Sequence, residues 1–328
     1  MWQRLLRFVR SFYSLRHLKG YSQRVGIPLR HFHHVVKALR IATAPVEYIR
    51  RRLVTRRLAR RATPGISVPA DDGFVFFEIG DVAQGRAALD SARRIAEARK
   101  PDCLASVGSK SHLINLLEPQ DFVHYPQLSA LALSDTLVEA AARYLGTVPV
   151  WMGMELLYTP PNGTIVSSQL FHCDQADFRQ VKFFINVNDV DETSGPLTFV
   201  PAKESRLAFE KLGRPEGRVE DDILFACLGS RDAVSLTGPA GCGVAVDTSQ
   251  CFHYGSRENR KERIVLMIQY LTYHKPTNPC PFLPVELMHG VQLRGLQALA
   301  FPSKRRYFTG VSQPRNARRA ATEAETGK

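Results

Sequence analysis

Residues 180–201 read Gln180-Val181-Lys182-Phe183-Phe184-Ile185-Asn186-Val187-Asn188, then Asp189-Val190-Asp191-Glu192-Thr193-Ser194-Gly195-Pro196, then Leu197-Thr198-Phe199-Val200-Pro201. Two short runs rich in β-branched and aromatic residues flank a cluster of Asp, Ser, Gly and Pro, which is the chemistry of strand, turn and strand. The texture continues on both sides. Val150–Tyr158, Thr164–His172, Gln180–Asn188, Leu197–Pro201, Gly243–Asp247, Cys251–His253 and Arg263–Thr272 all read as strands. Upstream the pattern is mainly helical. Gly73–Ile79 is a short strand, and Asp81–Arg99 and Leu128–Leu145 carry apolar residues at helical spacing. Helices first and many short strands after predict an α+β chain whose β half is a sandwich or jelly roll.

The composition is that of a soluble globular chain, with 44% hydrophobic and 23% charged residues, which excludes collagen-like and wholly disordered classes. No stretch of ~20 residues is apolar and free of Pro, Gly and charge, so no spanning helix is expected. The six cysteines (103, 173, 227, 242, 251 and 280) contain no C-x-x-C pair, which leaves a zinc ribbon or thioredoxin-like site without support. Scattered thiols and the absence of a secretory pattern at the start predict a cytoplasmic, reducing location.

The net charge of +13 sits at the ends. Residues 1–62 carry +15 and residues 302–328 carry +5, whereas residues 63–301 carry −7. These shifts divide the chain into a basic helical N-terminal extension (1–62), a central domain (63–301) and a basic, largely disordered tail (302–328). Trp2, Leu5, Leu6, Val9, Phe12 and Tyr13 follow amphipathic helical spacing, and a second helical stretch runs from Phe32 to Arg61 with an interruption at Pro45. A basic amphipathic arm suits peripheral contact with an anionic membrane, organelle targeting, or docking on the chain's own acidic domain. Neither a recognition helix nor a zinc-finger pattern is present, so no nucleic-acid partner is expected.

Chemistry concentrates in the β half. In Phe171-His172-Cys173-Asp174, the histidine and the aspartate are two apart, so on an extended backbone they share one face. An imidazole and a carboxylate on one face are two thirds of a 2-His-1-carboxylate metal site. The third ligand must come from another strand, and His253 lies 81 residues on. Ten residues later Arg263 opens an otherwise apolar strand. A cation there needs an anionic partner if it points inward, and a dicarboxylate cosubstrate is such a partner. Each piece alone is weak. A lone H-x-D is commonly an exposed pair or a satisfied core histidine.

In order, these pieces resemble the phytanoyl-CoA dioxygenase-like family of Fe(II)/2-oxoglutarate-dependent oxygenases. The resemblance covers about Val150–Thr272 and rests on His172-Cys173-Asp174, on Val187 to Pro201, on Asp247 to His253 and on Glu262-Arg263. It implies a double-stranded β-helix, a cupin-like jelly roll with flanking helices. It implies His172, Asp174 and His253 as iron ligands and Arg263 as the clamp for the far carboxylate of 2-oxoglutarate. It also implies that Lys182 and Phe184, two apart on one strand face, line the same pocket. The family often has Gln where Cys173 stands, and Gly-Ser-His after the proline where this chain has Ala202-Lys203-Glu204-Ser205. The family's substrate therefore does not carry over.

The expected function is hydroxylation of a small or lipid-like molecule with Fe(II), 2-oxoglutarate and O2, releasing succinate and CO2, with ascorbate as a stimulant. Two other readings fit the same residues. One is a catalytically silent jelly-roll binding protein tethered by its basic arm. The other is a cupin-type metal enzyme that uses no 2-oxoglutarate. Retention of 2-oxoglutarate separates the first reading from both.

Overall fold

The computed structural model describes residues 15–27, 29–59, 65–106, 112–213 and 217–272. The amphipathic segment at Trp2–Tyr13 and the C-terminal tail expected to be disordered lie outside these residues. Three helices come first: α1 (Leu15–Val25), α2 (Leu29–Thr43) and α3 (Pro45–Ala59). Pro45 opens α3, a position where its missing N–H costs no hydrogen bond. Then follow β1 (Phe74–Glu78), α4 (Gly85–Ser106), β2 (Ile114–Asn115), α5 (Asp121–His124), α6 (Pro126–Ala132) and α7 (Asp135–Leu145). The β-rich half holds β3 (Val150–Thr159), β4 (Gln180–Asn186), β5 (Thr198–Phe199), α8 (Ala202–Lys211), α9 (Asp221–Leu228), β6 (Val234–Ser235), β7 (Cys242–Val246), β8 (His253–Tyr254) and β9 (Arg263–Leu271).

The strands form two antiparallel sheets. The larger has the order β1-β7-β4-β9-β3-β2 and the smaller β6-β5-β8. An isolated antiparallel bridge between His172 and His253 extends the smaller sheet. Three apolar layers hold the sheets in place. Val181, Phe183, Ile185, Leu266 and Ile268 of the large sheet pack against α4, α6 and α7. Between the sheets lie Phe184, Leu197, Phe199, Val244, Val246, Val265 and Met267. On the outer side of the small sheet, Phe171, Val200 and Phe252 meet Ala208 of α8 and Leu224 of α9. The order helix, large sheet, small sheet, helix buries both faces of each sheet, as the mixed pattern of the sequence requires.

Four expected elements differ. The Leu128–Leu145 helix is two helices, because Ser134 breaks it with an extended backbone and caps α7 by accepting a hydrogen bond from Leu137 N–H. The helix expected from Asp81 begins at Gly85, since Ile79–Asp81 is a 3-10 turn and Gln84 has a positive φ of 66°. Leu197–Pro201 shrinks to Thr198–Phe199. Thr164–His172 is not a strand. There the Gln169 side chain takes hydrogen bonds from the Thr164 hydroxyl and Val166 N–H and donates to Ser256 O, while Asn162 Oδ1 takes Thr164 N–H. Side chains replace a strand partner for this backbone, and pairing resumes only at Phe171 and His172.

The helix α3 packs on the helical core. Val54 of α3 belongs to the helical core, and Arg51, 3% exposed, donates from Nη1 to Val148 O at 3.0 Å. Among the described residues no helix is long and apolar enough to cross a membrane. Cys173, Cys227, Cys242 and Cys251 are free thiols.

Candidate metal centre

The two histidines are placed by pairing. His172 N–H donates to His253 O at 3.1 Å and His253 N–H returns the bond to His172 O at 3.0 Å, so the residues stand directly opposite with ring centroids 4.3 Å apart. Two residues on, Asp174 N–H donates to Thr248 O at 2.7 Å, which fixes the carboxylate beside them. One ligand atom from each of His172, Asp174 and His253 lies within 4.8 Å of the others. His172 Nε2 is 3.9 Å from Asp174 Oδ1, and His253 Nε2 is 3.9 Å from Asp174 Oδ2.

The ring orientations are set from behind. His172 Nδ1 contacts Leu170 O at 2.9 Å and His253 Nδ1 contacts Cys251 O at 3.1 Å. A carbonyl only accepts, so each Nδ1 carries the proton and each Nε2 presents a lone pair to the shared space, the orientation that a histidine needs to bind a metal. Ser205 supports this from the outer side. Its hydroxyl donates to Val200 O and accepts Phe252 N–H, bracing the residue before His253. The segment that departs from the family pattern after Pro201 is thus the start of α8.

Asp174 is wrapped by donors. Its Oδ2 accepts from Thr248 Oγ1 at 2.7 Å, Lys182 Nζ at 2.7 Å and Gln180 Nε2 at 3.2 Å. Burial pushes this carboxyl up, but Lys182, His253 and the Thr248 hydroxyl outweigh it and hold the group well below the usual carboxylate range. Burial pushes the His253 imidazole down to about 3, against the pull of Asp174, so it is neutral at physiological pH and available as a ligand. Cys173 points the other way, packed against the apolar layer under α8 and α9, as alternation demands.

Arg263 is 5% exposed at the start of β9. Its Nη2 donates to Ser256 Oγ at 2.7 Å, and Ser256 Oγ is 3.0 Å from Thr159 Oγ1. Among the described residues no carboxylate pairs with it, and its Nε has no hydrogen-bond partner. Burial lowers the guanidinium to about 10. Gly255 makes room for it, because a Cβ at that position would sit 3.2 Å from Nη2. Ser256 is three residues after His253, so the guanidinium is tied to the loop leaving His253.

Of the site residues expected from the sequence, His172, Asp174 and His253 come together. Phe184 is 8% exposed in the apolar layer with Leu197, Val265 and Met267. Lys182 is bound to Asp174, with no contact to Arg263. The sequence reading missed the braces Thr248 and Gln180, the Ser256 partner of Arg263, and Glu155. Glu155 sits on β3 opposite Met267, and burial raises its carboxyl while Lys182 opposes the rise. Its signal was available, since it is the sole charged residue in Val150–Thr159.

Comparison with family models finds none that matches, and no curated protein matches the chain. Solved structures do. EctD from S. alaskensis, with 2-oxoglutarate and 5-hydroxyectoine, is 15% identical over 66% of this chain and 76% of its own, with a TM-score of 0.45. The non-heme alpha ketoglutarate dependent carbocyclase SnoK from nogalamycin biosynthesis is 14% identical over 66% of this chain and 86% of its own, TM-score 0.44. EvdO2 from Micromonospora carbonacea var. aurantiaca, complexed with 2-oxoglutarate, is 15% identical over 62% of this chain and 87% of its own, TM-score 0.40.

Proposed function

We propose that the chain is a double-stranded β-helix oxygenase that hydroxylates a small or lipid-like molecule, using Fe(II), 2-oxoglutarate and O2. The observation that carries this reading is a His-Asp-His cluster together with a buried guanidinium, tied to the loop after His253, that pairs with no carboxylate among the described residues. Two imidazoles and one carboxylate suit Fe(II) and leave positions open for a cosubstrate. A buried, unpaired cation costs several kcal/mol, so the fold keeps Arg263 for an anion that arrives from outside. The succession of β3, the bridge at His172, and β4 to β9 steps back and forth between two sheets, with β5 and β6 paired in the smaller one, which fits the double-stranded β-helix.

When bound, Fe(II) with 2-oxoglutarate and O2 supplies the oxidation, with succinate and CO2 as co-products, and ascorbate keeps the iron reduced. The chain's own work is holding and shielding. His172 and His253 offer Nε2, with the Nδ1 protons pinned by Leu170 and Cys251 carbonyls. Thr248, Lys182 and Gln180 keep Asp174 ionised and aimed. Arg263, oriented by Ser256 and Thr159, takes the far carboxylate of 2-oxoglutarate through its planar fork. Lys182 and Phe184 line the same pocket, and Phe184, Leu197, Val265 and Met267 keep water from its walls.

The test is turnover in parallel with metal binding. Protein with Fe(II) and ascorbate should convert 2-oxoglutarate to succinate, slowly without the prime substrate. Asp174→Ala and His253→Ala should lose both turnover and Mn(II) affinity while remaining folded. Unchanged Mn(II) affinity in folded variants would show that these residues are structural.

A further inference from the structure

We infer that a second cleft, between the N-terminal helices and the central domain, binds a phosphate-bearing anion. The cleft has a volume of about 340 Å³ and is lined by Lys37 of α2, Tyr48 and Arg52 of α3, Phe178 and Arg179 before β4, and Gln250. A space of this size falls in the range of small-molecule sites, about 300–1,000 Å³. Three of its walls are cationic and none of its lining residues is acidic.

The cations are held in place by aromatic rings and not by ion pairs. Lys37 Nζ lies 5.3 Å from the centre of the Phe178 ring, and the Arg179 guanidinium lies 4.7 Å from that of Tyr144. Arg52 stacks on Tyr48 at 5.8 Å and donates from Nη1 to the Tyr48 hydroxyl at 3.2 Å. Among the described residues none of the three forms an ion pair. Arg179 Nη1 also donates to Tyr144 O at 3.2 Å, near the C-terminus of α7, where a cation is favourable. That contact explains part of Arg179 and nothing of Lys37 or Arg52. The nearby Asp247 attracts Arg179 by charge without forming an ion pair with it. It is 0% exposed, and Tyr144 and Ser249 hydroxyls already fill its oxygens.

Two guanidinium forks and an ammonium around one open cleft match the oxygen array of a phosphate or diphosphate. Such a group could belong to a soluble phosphorylated metabolite or to an acidic phospholipid headgroup, and the chemistry of the cleft is the same for both. The cleft is separate from the metal centre, but Arg179 adjoins Gln180, which bonds Asp174, and Gln250 lies between Thr248 and His253.

The test uses the full-length chain in EDTA at low ionic strength, so that it does not depend on the metal centre. Inorganic pyrophosphate is titrated by calorimetry, and vesicles of phosphatidylcholine with and without phosphatidic acid are tested by co-sedimentation. The variants are Arg52→Gln, at an exposed position, and Lys37→Gln/Arg52→Gln, with circular dichroism as the check on folding. Saturable pyrophosphate binding that weakens at least tenfold in the double variant supports a soluble ligand. Binding to phosphatidic acid vesicles alone, with the same loss, supports a headgroup. If the double variant does not fold, Arg52→Gln must itself weaken binding several-fold. If the wild type binds neither probe, or the folded variants bind as the wild type does, the inference is overturned.

Discussion

On β4, residues 181, 183 and 185 face the helices and residues 180, 182 and 184 face the other sheet, and the two sets have little in common. Val181, Phe183 and Ile185 are each 0% exposed and wholly apolar. Gln180, Lys182 and Phe184 mix an amide, an ammonium and one aromatic ring, and the first two converge on Asp174. On β9 the division repeats. Ile264, Leu266 and Ile268 pack beneath the helices, whereas Arg263, Val265, Met267 and Gln269 take the inner face, with Gln269 donating to Gln180 at 2.8 Å. The two-residue period of a strand lets one backbone carry stability on one side and chemistry on the other. Packing against helices on the outer face holds the inner polar groups in register, so their own interactions need not stabilise the fold.

The largest effect that would sharpen this contrast is on stability. Phe183→Ala removes a fully buried ring from the helix-facing layer and should cost about 3–5 kcal/mol in urea unfolding. Arg263→Met, on the inner face of the neighbouring strand, removes a buried unpaired charge and should leave stability unchanged or raise it. A loss in Arg263→Met comparable to that in Phe183→Ala would mean that the inner face is also a stability layer.

A smaller effect lies in the pH dependence of the metal-free protein. Burial pushes His253 down to about 3, below its unfolded value of about 6.5, so the folded chain binds fewer protons between these values. The stability that His253 contributes is therefore present near neutrality and is lost as pH falls from 6.5 toward 3. Asp247 works in the opposite sense. Burial raises it to about 6, above an unfolded value of about 3.9, so its contribution is full at low pH and is lost as pH rises through 6. Between pH 4 and 6 the two oppose each other, each with a slope of at most ~1.4 kcal/mol per pH unit. In EDTA, His253→Asn should make stability decline with rising pH across this window relative to wild type. Asp247→Asn should make it climb. Urea midpoints at pH 4, 5 and 6 check this, and parallel profiles for all three proteins would contradict it.

Much of the architecture was legible because it depends on local pattern. β3, β4, β7 and β9 lie within two residues of their expected bounds, since each is a dense β-branched or aromatic run closed by turn residues. That His172 and Asp174 lie together was readable from a spacing of two, and that Arg263 opens a buried strand from the apolar run after it. What was not legible depends on partners distant in sequence. Residues 164–170 have strand composition, but Gln169 and Asn162 capture their backbone groups, and no local rule anticipates Ser256 as the recipient. The donors around Asp174 come from β4 and from the loop after β7, so Thr248 and Gln180 acquire their role only on folding. The Lys37, Arg52 and Arg179 cleft likewise joins residues more than 120 positions apart.

We propose that the inner face holds a metal and a dicarboxylate together. Calorimetric titration of 2-oxoglutarate into wild type and Arg263→Met, with Mn(II) or EDTA present, decides this. The expected result is saturable one-to-one binding that requires Mn(II), together with at least a tenfold loss in Arg263→Met at undiminished Mn(II) affinity. Absence of 2-oxoglutarate binding to the Mn(II)-loaded wild type, or equal binding by the variant, would contradict it.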